Sequence, residues 1–234
     1  MIDFKSYANW NARPSDLQQE RDPKRLYLFV CEGSETERGY IEGLKQKREE
    51  LGIDSLIDIE VYQKGKGESG GFAPEKLISL ADKLNSARKI KKAGDRIVVM
   101  FDADVLKDDD DKYQQILKKA EKSNYDLAIT YPCFELFLAL HLPNAYHDHI
   151  QPHAAEFLEN AKDSNSQRYI GKYVSQLTHC NTKNGTKVKW HFPGKVKNAI
   201  MEEAHLNQDI HCALGKLTSN VGSLFDRLLF PENK

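Results

Sequence analysis

Short apolar runs alternate with segments of helical periodicity over the first 150 residues of the chain. Three runs, LYLFVC, RIVVMF and DLAITY, have few polar breaks, and residues 56–62 alternate between apolar and polar side chains, so each of the four predicts a β-strand. Strand and helix alternate four times without a two-residue hairpin signal, which predicts an α/β fold with a parallel sheet covered by helices on both faces. The intervening helices are predicted at 36–51, from Pro74 to near Gly94, at 108–122, and between Pro132 and Pro143.

The pattern changes after residue 150, where strands give way to helices. We therefore predict three parts: an N-terminal arm over 1–25, an α/β domain over 26–150, and a mainly helical C-terminal lobe over 151–234. The lobe has helical periodicity at 153–162, 167–179, 194–207 and 219–230, and a loop rich in Gly, Asn and Lys at 181–187.

Composition narrows the class of protein without identifying it. The 234 residues are 40% hydrophobic, which is enough for a globular domain with a sizeable core. The sequence has neither an apolar run near the ~20 residues that cross a bilayer nor an apolar signal core at its N-terminus. The four cysteines are scattered and form no CxxC pair, as expected of reduced thiols. These features predict a cytoplasmic protein with no membrane association.

Charge is distributed unevenly although the net charge is only -1. Residues 164–201 contain seven Lys and Arg and no Asp or Glu, so this window is +7 and the remainder is -8. Aromatic residues lie among these cations, and such a mixture is typical of nucleic-acid binding. The alternative is that the aromatics are core and the lysines are solvated. The candidate contacts to nucleic acid are Arg168, Lys172, Lys187, Lys189 and Lys195.

A glycine-rich loop, KGKGESGGF, follows the second predicted strand. Its backbone amides, with Lys64 and Lys66, could hold a phosphate at the carboxyl edge of the sheet. It lacks the lysine that a P-loop requires after its glycines, and a solvated loop is the alternative. Lys64 and Lys66 join the candidate nucleic-acid contacts.

Acidic residues directly follow two of the predicted strands. Glu32 and Gly33 come after the first strand, and Asp102 and Asp104 come after RIVVMF. A glycine at position 33 allows a tight turn with a close approach to the backbone. If the two strands are neighbours, these three carboxylates meet at one edge of the sheet, with Asp102 and Asp104 pointing the same way from an extended segment. Crowded carboxylates call for raised pKa values or a cation, and oxygen ligands favour Mg²⁺ or Mn²⁺. The alternative is that such acids form turns or helix caps.

Four blocks in order along the chain resemble one protein family. A strand ending in Glu-Gly and a later strand ending in Asp-x-Asp resemble the Toprim domain of topoisomerases, bacterial primases and OLD nucleases. More narrowly, VCEGSETERGYIEGL, VVMFDADV, YPCFELFLALH and LTSNVGSLFDRL resemble the RloB-like family. The resemblance implies that Glu32, Asp102 and Asp104 are metal ligands, and Thr36 and Glu37 match the Glu-Gly-x-x-Thr-Glu pattern. It also implies bacterial anti-phage or restriction-linked loci and an adjacent ATPase of the AAA or ABC-like type.

Glu135 is a further candidate, because helical spacing places it on the apolar face of PCFELFLALHL, just beyond the fourth strand. A first-turn Glu bound by free N–H groups is the alternative. The leading hypothesis is a metal-dependent Toprim-type nuclease of DNA or RNA, in which Glu37 or Glu135 transfers a proton or holds a second ion. A non-catalytic subunit that binds nucleic acid or the ATPase is an alternative, and so is a primase-like nucleotidyl transferase.

Overall fold

The fold is a mostly parallel five-stranded sheet flanked by helices. The structure, a computed structural model, describes residues 25–62, 72–88 and 94–230. The first four strands run parallel, and the order across the sheet is β2-β1-β3-β4-β5. The α/β prediction is confirmed, and the N-terminal arm and the loop with Lys64 and Lys66 lie outside the described residues. The strands are β1 (Arg25–Cys31), β2 (Ile57–Val61), β3 (Arg96–Asp102), β4 (Asp126–Tyr131) and β5 (Thr218–Ser219).

The helices follow the predicted order with shorter bounds. One prediction was wrong, because the loop predicted at 181–187 gives way at Gly185 to a helix. Asn184 begins that helix by accepting a hydrogen bond from Lys187 N at 3.0 Å through its side chain. The helices are α1 (Thr36–Gln46), α2 (Arg48–Leu51), α3 (Pro74–Arg88), α4 (Asp110–Lys122), α5 (Glu135–Ala139), α6 (Ala154–Glu159), α7 (Tyr169–Thr178), α8 (Gly185–His191), α9 (Val196–Glu203) and α10 (Val221–Leu229).

The fifth strand was not predicted, and it runs antiparallel to β4. Residue 219, where a helix was expected to begin, pairs with Thr130 instead. The side chain of Asn220 fixes this edge, since it accepts from Ile129 N at 2.7 Å and donates to Leu127 O at 2.8 Å. A two-residue strand is too short to show an alternating pattern, so only its partner strand reveals it.

Each face of the sheet has its own hydrophobic cluster. One cluster packs α3 and α4 against β3 and β4. The other joins α1, α5 and the helices after residue 150 to the opposite face, and the rings of Phe29 in β1 and Phe225 in α10 are 6.1 Å apart. The C-terminal helices therefore share a core with the sheet. No helix in the described ranges has both the length and the apolar character needed to cross a membrane.

A buried acid that the sequence analysis did not select joins α9 to α10. The carboxylate of Glu203 accepts hydrogen bonds from Ser219 Oγ at 2.6 Å, Gly222 N at 2.8 Å and Ser223 N at 2.7 Å. Burial raises its pKa to about 7, although these hydrogen bonds act in the opposite direction. Glu203 thus caps the first turn of α10 from a neighbouring helix.

Candidate functional site

The acids after β1 and β3 lie side by side. These strands are neighbours, with Cys31 opposite Met100, and Glu32 N continues the pairing by donating to Met100 O at 3.0 Å. Asp102 N in turn donates to Glu32 Oε2 at 3.1 Å. The condition on which the predicted site depended, that β1 and β3 be adjacent, is therefore met.

Glu37 reaches the same edge from the first turn of α1. Its carboxyl group lies against the backbone of Gly33, so close that a Cβ on Gly33 would overlap Glu37 Oε2. The close approach expected at Gly33 therefore occurs, and the approaching group is Glu37. Thr36 next to it is buried and donates to Thr182 O at 2.8 Å, which ties α1 to the loop before α8.

Glu135 begins α5 and is 4% exposed. Lys183 Nζ lies 2.5 Å from its Oε1, and Gly171 in α7 packs near its side chain. Glu135 is thus a buried acid with a cationic partner from the basic window. Glu135 stands in the first turn of α5, and its charge acts on Asp102 and Glu37.

The backbone at Asp104 differs from the extended segment that was predicted. It lies in a 3₁₀ turn, Ala103–Leu106, and not in an extended segment, so it need not point the same way as Asp102. Its Oδ2 is 3.0 Å from the guanidinium of Arg168. Asp102 is held separately, since Thr130 Oγ1 in β4 donates to its Oδ1 at 2.6 Å.

The pKa values show how strongly these acids influence one another. Burial raises the pKa of Asp102 well above its ordinary value, and the charges of Glu37, Glu135 and Glu32 raise it further. Burial also raises the pKa of Glu37 to about 7, with contributions from Glu135 and Glu32. The pKa of Asp104 is raised by burial, which Arg168 and Lys107 offset in part. Four of these carboxyl groups thus lie close together, and we call them the acidic cluster: Glu32, Glu37, Asp102 and Glu135.

The donor set of this acidic cluster suits a hard divalent cation. Its members are carboxylates, the ligands that Mg²⁺ and Mn²⁺ prefer, and a cation would relieve the crowding that raises their pKa values. As the side chains stand, no three His, Cys, Asp or Glu within the described ranges form a group that could hold a metal ion. These side chains would therefore have to rearrange to hold an ion.

The candidate nucleic-acid contacts in the described ranges differ in whether they pair with an acid. Arg168 pairs with Asp104, and Lys172 pairs with Asp163 at 2.8 Å. Lys189 lies 3.5 Å from Glu42. Lys187 and Lys195 are exposed and, in the part of the chain that the structure describes, make no ion pair.

A cavity of about 370 Å³ opens beside the acidic cluster. Its wall includes Arg168, Lys172 and Lys183, together with the side chains of Gln167, Gln176 and Asn181. Two of its cations are the partners of Asp104 and Glu135. The cavity therefore lies where the basic segment, residues 164–201, contacts Asp104 and Glu135.

The sequence analysis did not select two residues that lie at the site. Lys183 lies in the basic window but was not selected, because its contact with Glu135 depends on how the segment between α7 and α8 folds back. Thr130 gave a usable signal: it is a polar residue near the end of an otherwise apolar strand, beside the strand that carries Asp102.

The chain was compared with curated proteins and with solved structures, and neither comparison found a match. A family model described as RloB-like protein matches residues 27–228. Since that match covers most of the chain, including the acidic cluster and the basic segment, this chain belongs to the RloB-like family.

Proposed function

We propose that this protein is a metal-dependent nuclease of Toprim type that cleaves phosphodiester bonds in DNA or RNA. One observation carries the proposal: Glu32, Glu37, Asp102 and Glu135 come together at the carboxyl edge of a parallel sheet. There the other three acids raise the pKa of Asp102. Ligands of open α/β sheets bind at this edge. A buried cluster of like charges is costly to keep, and a bound divalent ion offsets that cost.

Each residue has a role that follows from its position. Glu32 and Asp102 would hold Mg²⁺ or Mn²⁺, with Asp104 as the third ligand once it leaves Arg168. The ion would supply charge stabilisation at the phosphate and a more acidic water. Thr130 keeps Asp102 in place through its hydrogen bond. Glu37 and Glu135 would transfer protons or hold a second ion.

The cations beside the acids would bind the negatively charged substrate. Arg168 and Lys183 neutralise Asp104 and Glu135 in the structure. With a divalent ion bound by the acids, both side chains would be available to phosphate oxygens, which Arg can bind with two N–H groups. The same residues would therefore balance the charge of the site before and after substrate binds.

The test is cleavage of DNA, RNA and tRNA in Mg²⁺ or Mn²⁺ by the wild-type protein and by Asp102→Asn. We expect cleavage by the wild type and at least a hundredfold loss in the variant, on the scale of removing one stabilising group from an active site. Asp111→Asn is the matched control, because Asp111 is an exposed acid in α4. Undiminished cleavage by Asp102→Asn would exclude this mechanism.

Metal binding can be followed without activity. Mn²⁺ in excess should raise the melting temperature of the wild type, since a ligand that binds only the folded state stabilises it. We expect no such rise in Asp102→Asn and an unchanged rise in Asp111→Asn. Equal stabilisation of all three proteins would place the ion elsewhere.

The second candidate is a subunit that binds nucleic acid or an ATPase without cutting. The ion pairs of Asp104 and Glu135 with basic residues favour it, because they neutralise both acids without a metal. The family resemblance supports a setting in phage defence with an AAA or ABC-like ATPase partner. Co-purification with an ATPase of the AAA or ABC-like type, combined with absence of cleavage by the resulting complex, would favour this candidate. A primase-like transferase would instead incorporate nucleotides on a single-stranded template.

A further inference from the structure

One large aromatic side chain stands out on the basic surface. Trp190 in α8 is 60% exposed, whereas Phe192 two residues later is 1% exposed and lies in the core. A tryptophan carries the largest apolar surface of any side chain, and leaving most of it in water forgoes that burial. The other aromatics of the basic segment have partners: Tyr169 and Tyr173 stack on each other with ring centroids 5.8 Å apart.

Trp190 lines two cavities. One, of about 370 Å³, is also lined by His179, Thr186, Lys187 and His191. The second, of about 230 Å³, is also lined by Arg38 and Lys189. The exposed ring thus borders concave space that a flat group could occupy.

The charges around Trp190 are mainly positive. Lys187 is exposed and unpaired among the described residues, and Lys189 Nζ lies 5.7 Å from the centroid of the Trp190 ring. Glu42 is offset by both Arg38, at 2.8 Å, and Lys189. Glu35 is the remaining acid along this surface. A ligand with both an aromatic face and negative charge matches these surroundings.

The second cavity is lined by Ser34 as well as by Trp190, and Ser34 lies two residues after Glu32 in the chain. Ser34 and Trp190 share this cavity because α8 lies directly on α1: a Cβ on Gly39 would overlap Gly185 O, and one on Gly43 would overlap Lys189 O. A strand bound at Trp190 could therefore continue past Ser34 to the acids.

We propose that Trp190 stacks on an unpaired base of a nucleic-acid strand, and that Lys187 and Lys189 bind the phosphates beside that base. This inference rests on the proposed function and narrows its substrate to a strand with at least one unstacked base. Bases inside a duplex have both faces covered by their neighbours, so only a single-stranded, flipped or terminal base can contact the ring. Stacking accepts any base, so this contact supplies affinity without sequence preference.

The test uses the fluorescence of Trp190 itself. The chain has two tryptophans, Trp10 and Trp190, so Trp10→Phe leaves a single emitter at the proposed contact. A single-stranded oligonucleotide of about 16 nucleotides, a length set by known site sizes, is titrated in EDTA to prevent cleavage. We expect quenching by the single strand and little by a blunt duplex of the same length.

In a binding assay by anisotropy, Trp190→Ala should weaken affinity about tenfold or more, and Trp190→Phe much less.

Met201→Ala is the matched control, because Met201 is also a large apolar residue and is 66% exposed on α9. Unchanged binding by Trp190→Ala, absence of quenching, or equal quenching by the duplex would each overturn the inference. Trp190-dependent self-association in light scattering without oligonucleotide would assign the surface to a second copy of the chain and also overturn it. Because binding is measured without metal, loss of this inference leaves the Asp102→Asn cleavage test unaffected. Conversely, quenching without any cleavage would refute only the nuclease.

Discussion

At the scale of single residues, the carboxyl groups at the sheet edge are kept at a cost to stability. Asp102 is the clearest case, since burial and three neighbouring acids raise its pKa. A raised pKa means that the charged form is disfavoured in the folded protein. Residues that destabilise the fold are often retained for function, which is how we interpret this group.

We predict that Asp102→Asn stabilises the protein in EDTA, and does so increasingly as the pH rises. Near the pKa of an unfolded Asp, about 3.9, the side chain is largely protonated in the folded state and the gain is small. Above that pH the folded state binds more protons than the unfolded state, so the contribution of Asp102 to stability falls with rising pH. Asn cannot ionise and removes this loss, on the order of 1 kcal/mol or more.

Urea unfolding at several pH values between about 4 and 8 measures this difference, a range that starts at the unfolded pKa. Asp111→Asn should show no such trend, because Asp111 is exposed. A loss of stability in Asp102→Asn that is the same at every pH would mean that its hydrogen bonds outweigh the repulsion.

At the scale of elements, the contact between α1 and α8 positions both halves of the site. Gly39 and Gly43 lie one turn apart on α1 and face Gly185 and Lys189 of α8. Side chains at i and i+4 share a helix face, so two glycines at this spacing form a flat strip against which a second helix can pack closely. The strip holds α1, which carries Glu37 in its first turn, directly against α8.

We predict that Gly39→Ala destabilises the protein by about 1–3 kcal/mol, the usual cost of inserting a methyl group into a close-packed contact. The new Cβ would overlap Gly185 O, which is backbone and cannot rotate away. Without that overlap, alanine would stabilise a helix relative to glycine. Chemical unfolding measures the change.

Gly194→Ala is the matched control, because its Cβ would meet only the flexible ends of two side chains, Lys47 Nζ at 3.2 Å and Glu50 Oε1 at 3.3 Å. We expect a change within about 0.5 kcal/mol for this surface position. An equally stable Gly39→Ala protein would show that α1 and α8 can separate without loss.

At the scale of the whole molecule, charge is divided between an acidic cluster and a basic surface that meet at two ion pairs, from Arg168 to Asp104 and from Lys183 to Glu135. The exposed lysines beyond these pairs are free to contact a polyanion. Lys187 and Lys195 are the two from the predicted set that, over the ranges described, make no ion pair.

We predict that replacing both Lys187 and Lys195 by alanine lowers the salt dependence of single-strand binding. Each phosphate contact contributes about 0.7 to the slope of log affinity against log salt concentration, so loss of two should reduce it by about 1.4. Anisotropy titrations in EDTA at several salt concentrations give the slope. Lys118→Ala, an exposed lysine on α4, should leave it unchanged. An unaltered slope in the double variant would place the strand elsewhere.

Local patterns in the sequence determined the parallel strands and the residues at their ends. A short apolar run such as RIVVMF predicts a strand by itself. β3 and the acids after it could therefore be identified without knowing their neighbours. The glycine after Glu32 likewise indicated a close approach, and the charge window indicated the basic surface. These features depend on residues close together in the chain.

Only the tertiary structure decided which of these features meet. The pairing of Thr130 with Asp102, of Arg168 with Asp104 and of Lys183 with Glu135 joins residues far apart in sequence. The antiparallel β5 and the close contact of α8 with α1 are also long-range, and Trp190 stays exposed while Phe192 is buried only because of that packing. Such contacts arise from the burial of whole faces against each other, which no local period encodes.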